Sequence, residues 1–429
     1  MELEPKRKQK LISQLNKISF VGLEGIKVGD VLSTALWHVS KWTKESVRNI
    51  GLCMTESFSI KKRGENPECA FLYSHSHLSR KDHLTQFQAV ESLFQNKVVI
   101  TASENRTARP KWNPYILLLP IWRMQMKHLA CPDYIKNGLC RRLCRSAAYA
   151  EEMFQIIKRY PSVRKLIFFF DVLEIDSILV QKCNQKSYTT YTLEHGIVNG
   201  TYDYIDYKCS NARYLLLWGE YSKQTAVQCG IAENRIILVG NINTLVKSTS
   251  PIYVDKKHIQ ISRFIVCLAI VLTKKDWQKN KSLIEIADFL ADKYNATYIL
   301  KVHPSDKVTN YTSCVNPNYC KKTYDNRTRL NELFEDVDFL LCGNSTTFGD
   351  AVYCGIPAFR YIRDEDVDGD VCKGISWGKA DSRQGMDALL KNMQNDPDAY
   401  MEQLRKVRRF LYGEDNPKER YYSAITENV

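Results

Sequence analysis

Short apolar runs recur along most of this chain, each closed by a polar or turn-forming residue and followed by a stretch with helical spacing. A run without polar interruption suits a strand buried on both faces, as in a parallel sheet covered by helices. In the first half the pattern predicts strands at Cys69–Tyr73, Val98–Thr101, Leu166–Phe170, Tyr188–Leu193, Tyr214–Trp218 and Ile236–Val239. Helices are predicted at Leu84–Phe94, Ile178–Cys183 and Ser222–Gly230. The alternation is that of parallel α/β units.

Residues 243–260 carry Ser, Thr, Pro and Lys without a period and read as a linker. The rhythm then restarts. Strands are expected at Phe264–Leu272, Thr297–Val302, Asp338–Leu341 and Ile356–Tyr361, and helices at Leu283–Lys293, Arg329–Phe334 and Phe348–Cys354. The expected fold class is α/β, with two Rossmann-like domains facing a cleft, where ligand sites commonly lie. The expected division is a mainly helical extension over 1–65, with its helical stretch around Gly29–Arg48, a first domain over 66–242, and a second over 261–429 that ends in helices. Tyr115–Ala130 starts strongly apolar and turns basic. It fits a core helix with a polar end or a segment lying on a membrane; Pro114 and Pro120 favour the core reading.

Composition narrows the class. The 429 residues are 44% hydrophobic and 25% charged, an ordinary globular balance that supports two or three domains. The charged start has no apolar stretch after it, and the longest apolar runs fall short of the roughly 20 residues of a spanning helix. A cytoplasmic protein is expected, at most peripheral at the inner face of the membrane. The 14 cysteines show no paired spacing, and Cys131, Cys140 and Cys144 lack a suitably placed histidine. They read as reduced, mainly buried thiols rather than metal ligands. A formal net charge of +13 points to acidic partners, with basic clusters at Lys6–Lys10, Arg141–Arg145 and Arg405–Arg409.

Three segments at predicted strand ends carry the candidate chemistry. In Glu194-His195-Gly196 either the imidazole or the carboxylate can act as general base, and glycine permits close approach of a ligand. In Lys301-Val302-His303-Pro304 a histidine follows a strand directly, where an imidazole can donate to a leaving phosphate. In Gly343-Asn344-Ser345-Thr346-Thr347 hydroxyls gather at the start of a helix, where unpaired N–H groups favour phosphate; plain helix capping is the competing reading. Asp350, nearly one turn further, can reach a ribose hydroxyl or simply favour the helix start. Two of only eight histidines thus stand at strand ends in the two halves.

The order His195-Gly196, Lys301-x-His303-Pro304, Asn344-Ser-Thr-Thr347 and Cys354-Gly-Ile-Pro-Ala-Phe359 resembles the GT-B glycosyltransferases. Within them it is similar to the bacterial surface-polymer branch, which includes the CDP-glycerol glycerophosphotransferases of teichoic acid synthesis and the capsule sialyl- and polysialyltransferases. The resemblance covers about 165–365 and is strongest over 297–361. It implies that His303, Lys301, Ser345, Thr346 and Thr347 hold the donor phosphate, that Asp350 faces the ribose, and that His195 is a candidate base. Leu193-Glu194 stands where the glycerophosphotransferases typically have Thr-Trp. The implied partners are a nucleotide-sugar or CDP-polyol donor and a glycan or lipid-linked acceptor near an anionic membrane surface, without a cofactor. No convincing Asp-x-Asp motif is found: the acidic run Asp364–Asp370, which has that spacing, follows the last core strand and reads as a loop. Metal-independent transfer is therefore expected. Two alternatives stand beside this: an isomerase similar to the UDP-sugar 2-epimerases, whose Ser-Gly-Gly type turn is absent, and a nucleic-acid-binding protein, for which only the charge speaks.

Overall fold

The computed structural model describes residues 5–36, 57–74, 81–103, 113–197, 205–242, 261–269, 271, 274–303, 306–325, 328, 330–363, 372, 374–413 and 417–427. Two sheets organise them. The first holds β1 (Ser57–Arg63), β2 (Cys69–Tyr73), β3 (Lys97–Ser103), β4 (Lys165–Phe169), β5 (Thr189–Leu193), β6 (Tyr214–Leu217) and β7 (Ile236–Leu238), in the order β1-β3-β2-β4-β5-β6-β7. All neighbours are parallel except β1 against β3. The second holds β8 (Arg263–Cys267), β9 (Thr297–Lys301), β10 (Cys320–Tyr324), β11 (Phe339–Cys342), β12 (Ala358–Tyr361) and β13 (Lys379–Ala380). Its order is β10-β9-β8-β11-β12-β13, parallel throughout.

Among the parallel strands of each sheet the order of succession reverses once, between β2 and β4 in the first and between β8 and β11 in the second. Crossovers run to opposite sides there, so a crevice opens beyond the carboxyl ends of those strands. Apolar residues pack in three main clusters. One lies between the first sheet and helices α1 (Pro5–Leu15), α4 (Asp133–Ile157) and α5 (Glu174–Gln185). Another lies between the second sheet and helices α7 (Lys274–Tyr294) and α9 (Arg383–Asn395). The cluster between them takes residues from both sheets, including Phe71, Ile167, Ile265 and Leu340.

Helix α10 (Pro397–Tyr412) joins the halves. It starts at Asp396, whose carboxylate accepts from the Ala399 amide at 3.0 Å, and stops at Gly413 with φ +70°. Its end abuts Gly219, at the start of α6 (Glu220–Gln228): a Cβ there would come within 2.6 Å of the Leu411 carbonyl carbon. Only glycine allows so close an approach.

Several expectations need correction. The described residues among the first 65 are part of the first domain rather than an extension of it. Leu11, Leu15, Val28 and Val31 are buried in the first domain's core, and Ser57–Arg63 is its antiparallel edge strand. The polar half of SFSIKKR hid that strand, because an edge need be apolar on one face only. Of the expected Gly29–Arg48 helix, only short turns at Val28–Val31 and Ser33–Leu36 are seen, and 37–48 lie outside the described residues. The proposed linker, 243–260, also lies outside them. Helix α11 (Pro417–Thr426), grouped by sequence with the second domain, lies on the first. Lys165 Nζ donates to the Thr426 carbonyl at 2.6 Å, and Tyr422 stacks on Phe94 at 5.4 Å. Of the expected Arg329–Phe334 helix a single 3-10 turn, Leu330–Leu333, is seen, and Arg329 lies outside the described residues.

The 25-residue α4 went unrecognised in the sequence, although Ile135, Leu139, Leu143, Ala147, Ala150, Phe154 and Ile157 mark its buried stripe. Cys140 and Cys144 sit on that stripe, against Met126 and Asn113 respectively, and serve as packing groups.

Candidate active site

At the carboxyl edge of the first sheet, β4 is followed by Phe170, which has φ +72°. This left-handed backbone is costly for a bulky residue and persists only where its surroundings enforce it. The enforcement comes from Asp171. Its amide donates to Thr192 Oγ1 at 3.1 Å, and its Oδ2 accepts from Ser210 Oγ, the Asn211 amide and the Ala212 amide at 3.1, 2.8 and 2.8 Å. The turn thereby presents the Phe170 ring to His195, with centroids 4.3 Å apart. His83, near the start of α2 (Lys81–Glu91), meets the same imidazole edge-on at 5.2 Å. His195 is half-buried between them. His83 was not singled out in the sequence, where nothing but its position after β2 at the reversal point marks it.

Glu194 does not share this exposure. Its Oε1 accepts from Tyr207 Oη at 2.9 Å and Ser222 Oγ at 2.6 Å, and its Oε2 accepts from the Trp218 amide at 2.5 Å. The carboxylate is a buried clamp tying the end of β5 to β6 and α6. Burial raises its pKa to about 7, against the lowering effect of these hydrogen bonds. Glu194 lines the small cavity it shares with Phe170, His195 and Tyr207, but both its oxygens accept from the protein's own donors, so the half-buried His195 is the more open of the two expected bases. Gly196 has no left-handed backbone, and a Cβ there would meet open space.

On the second sheet, β11 lies beside β8 at the reversal point, and the turn 343–346 leads from it into α8 (Thr347–Tyr353). Ser345 Oγ accepts from the Thr347 amide at 3.3 Å and from Thr347 Oγ1 at 3.1 Å. Thr346 is exposed and makes no capping bond with its side chain. Ser345 thus does the local capping, while Thr346 faces outward and Thr347 is half-buried. A Cβ on Gly343 would also meet open space. Asp350 is half-buried inside the first turn, its amide donating to the Thr346 carbonyl at 3.3 Å.

His303 follows β9, next to β8, and is half-buried. Burial lowers its pKa, partly offset by Asp306, so the neutral imidazole dominates at neutral pH. Pro304 lies outside the described residues. Lys301 departs from its expected phosphate role. Its ammonium is buried and donates to the carbonyls of Asp325 at 2.6 Å and Val302 at 3.3 Å. It pins the segment after β10 instead.

The two lips meet. A Cβ on Gly349 of α8 would fall 2.7 Å from Ile197 Cδ1 and 2.2 Å from Tyr412 Oη. The segment carrying His195 therefore packs directly on the helix that follows the Ser/Thr turn. No cluster of metal-ligating side chains occurs among the described residues, and Asp364–Asp370 lie outside them.

No protein-family model and no curated protein sequence matches the chain. Solved structures do. S. aureus MnaA in its UDP co-structure is 10% identical, with 84% of this chain and 98% of that chain covered and a TM-score of 0.50. The chain has the GT-B fold. The fold is shared by glycosyltransferases and UDP-GlcNAc 2-epimerases alike. The 2-epimerase of Neisseria meningitidis, bound to UDP-GlcNAc, is 10% identical over 84% of this chain and 100% of that one, at a TM-score of 0.48. The wall teichoic acid polymerase TagF is 16% identical over 66% and 86%, at 0.37. In this GT-B chain the described residues include no helix long and apolar enough to cross a membrane.

Proposed function

We propose that this GT-B chain is a transferase that moves a sugar or polyol phosphate from a nucleotide-activated donor to a surface polysaccharide or lipid-linked glycan at the membrane's inner face. The observation that supports the reading is the close approach of Ile197, two residues after His195, to Gly349, two residues after Thr347; in this reading His195 and the 343–347 turn face one cleft. In this reading the donor diphosphate lies over the turn. Thr346 and Thr347 hydroxyls, backbone amides and the neutral His303 N–H stabilise the departing phosphate. Asp350 holds the ribose. His195 takes the proton from the acceptor hydroxyl, which attacks the activated carbon or phosphorus as the nucleotide leaves. The transfer uses no cofactor and no metal. MnaA, solved with UDP, has the same fold, which is compatible with a nucleotide site.

The epimerase structures among the neighbours favour a second reading, in which a nucleotide sugar is isomerised without an acceptor. Incubating nucleotide-activated donors with and without isolated envelope glycans, and following free nucleotide by chromatography, separates the two. Acceptor-dependent release supports transfer. A new nucleotide sugar formed without acceptor supports isomerisation, and no turnover of any donor removes both.

A further inference from the structure

One face of the first domain carries a surface that the cleft does not use. A continuous helical run joins the 3-10 turn Pro114–Leu118 to α3 (Leu119–Gln125). Its inner side is core: Trp122 and Met126 are fully buried, and Leu118 and Leu119 pack against the same cluster. Its outer side is apolar as well. Leu117 is 68% exposed and Met124 62%, about two helical turns apart along the run. Val21 is a further exposed apolar group, on a neighbouring segment tied to the run: Trp122 Nε1 donates to the Val21 carbonyl at 2.9 Å and Gln125 Nε2 to the Ser19 carbonyl at 2.7 Å.

Cations rim this patch. Arg123 and Lys127 are exposed on and just after α3. Arg7 Nη2 donates to the Ala130 carbonyl at 3.3 Å, which brings the start of α1, with its exposed Lys6 and Lys10, to the same edge. Two acids lie nearby: Glu24, which accepts from the Gly22 amide at 2.8 Å and keeps its charge, and Asp133, which pairs with Lys136 at 3.3 Å; the cations named above outnumber them. Scattered exposed apolar residues are ordinary on a protein surface, but a cluster of large ones ringed by Lys and Arg matches an interfacial lipid-binding face.

We propose that this face seats the protein on an anionic lipid bilayer, with Leu117, Met124 and Val21 entering the acyl boundary and Arg123, Lys127, Lys6 and Lys10 meeting headgroup phosphates. The net charge of +13 draws the chain to such a surface, and the apolar groups set its orientation there. The inference names the membrane partner of the transfer reading but rests on this surface alone.

The test sediments the full chain with vesicles of phosphatidylglycerol and phosphatidylcholine in equal parts, and with phosphatidylcholine alone. Wild type is expected to pellet with the anionic vesicles and to be released by raised salt. The double variant L117E/M124E should bind them at least about tenfold more weakly, and R123Q/K127Q should also weaken, each with the wild-type melting temperature. Wild type remaining in the supernatant overturns the proposal. So does L117E/M124E pelleting like wild type, or salt-sensitive binding of labelled RNA in place of vesicles. A chain that binds vesicles but no nucleotide would leave this inference standing and remove the transfer reading.

Discussion

Glu194 makes the pH dependence of stability calculable. Its carboxyl is raised from an ordinary 4.5 to about 7, chiefly by burial. The folded state therefore binds a proton that the unfolded chain has already released, and stability falls as pH rises from about 4.5 through about 7. At about 1.4 kcal/mol per pH unit, the full penalty is roughly 3 kcal/mol, of which about 2.5 kcal/mol develops between pH 5 and 8. Glu194→Gln removes the charge and keeps the shape. The amide oxygen can accept from the Trp218 N–H, while its NH2 donates to the Tyr207 and Ser222 hydroxyls, which rotate to accept. Burial also raises Asp30, Asp171 and Asp176, so the quantity to read is the difference between variant and wild type. Urea unfolding followed by circular dichroism should show Glu194→Gln gaining about 2–3 kcal/mol on wild type between pH 5 and 8. A flat difference, or one of opposite sign, refutes the clamp reading. Glu194→Ala, by contrast, strands the buried Trp218 N–H and should destabilise by roughly 1–3 kcal/mol for the lost partner alone.

Other substitutions probe the lips and the strain around them. Gly349→Ala forces a Cβ onto Ile197 and Tyr412 and should cost about 1–3 kcal/mol, read as a lowered urea midpoint; an unchanged midpoint would mean the lips are not in contact. Ser187 is exposed with φ +63°, so Ser187→Gly should stabilise by up to about 1 kcal/mol without touching the cleft. Once a donor is found, chelation with EDTA should leave turnover unchanged, and loss of turnover restored by added divalent ion would contradict metal-independent transfer.

Buried parallel strands announced themselves best. CAFLY and the runs around 166–169 and 339–342 are apolar on both faces, so the local pattern alone marks them. Ser57–Arg63 did not, because an edge strand with polar residues carries no such run. Motif reading singled out His195, His303 and Ser345–Thr347, each of which the structure places just after a strand at a sheet's carboxyl edge. It misread the role of neighbours. Glu194 and Lys301 look available in sequence, yet their hydrogen bonds run to Trp218, Ser222 and Asp325, partners that only the fold brings near. His83 was invisible for the same reason: its meeting with His195 depends on β2 and β5 lying in one sheet, far apart in sequence.

The most direct test of a nucleotide-activated donor is thermal shift against CMP, CDP, UDP, GDP and ADP, in wild type and in His303→Ala. Stabilisation by one nucleotide, concentration-dependent as ligand linkage requires and much reduced in the variant, is the predicted result. A wild-type chain that no nucleotide stabilises, or one stabilised equally in His303→Ala, would contradict a donor phosphate held at the edge of the second sheet.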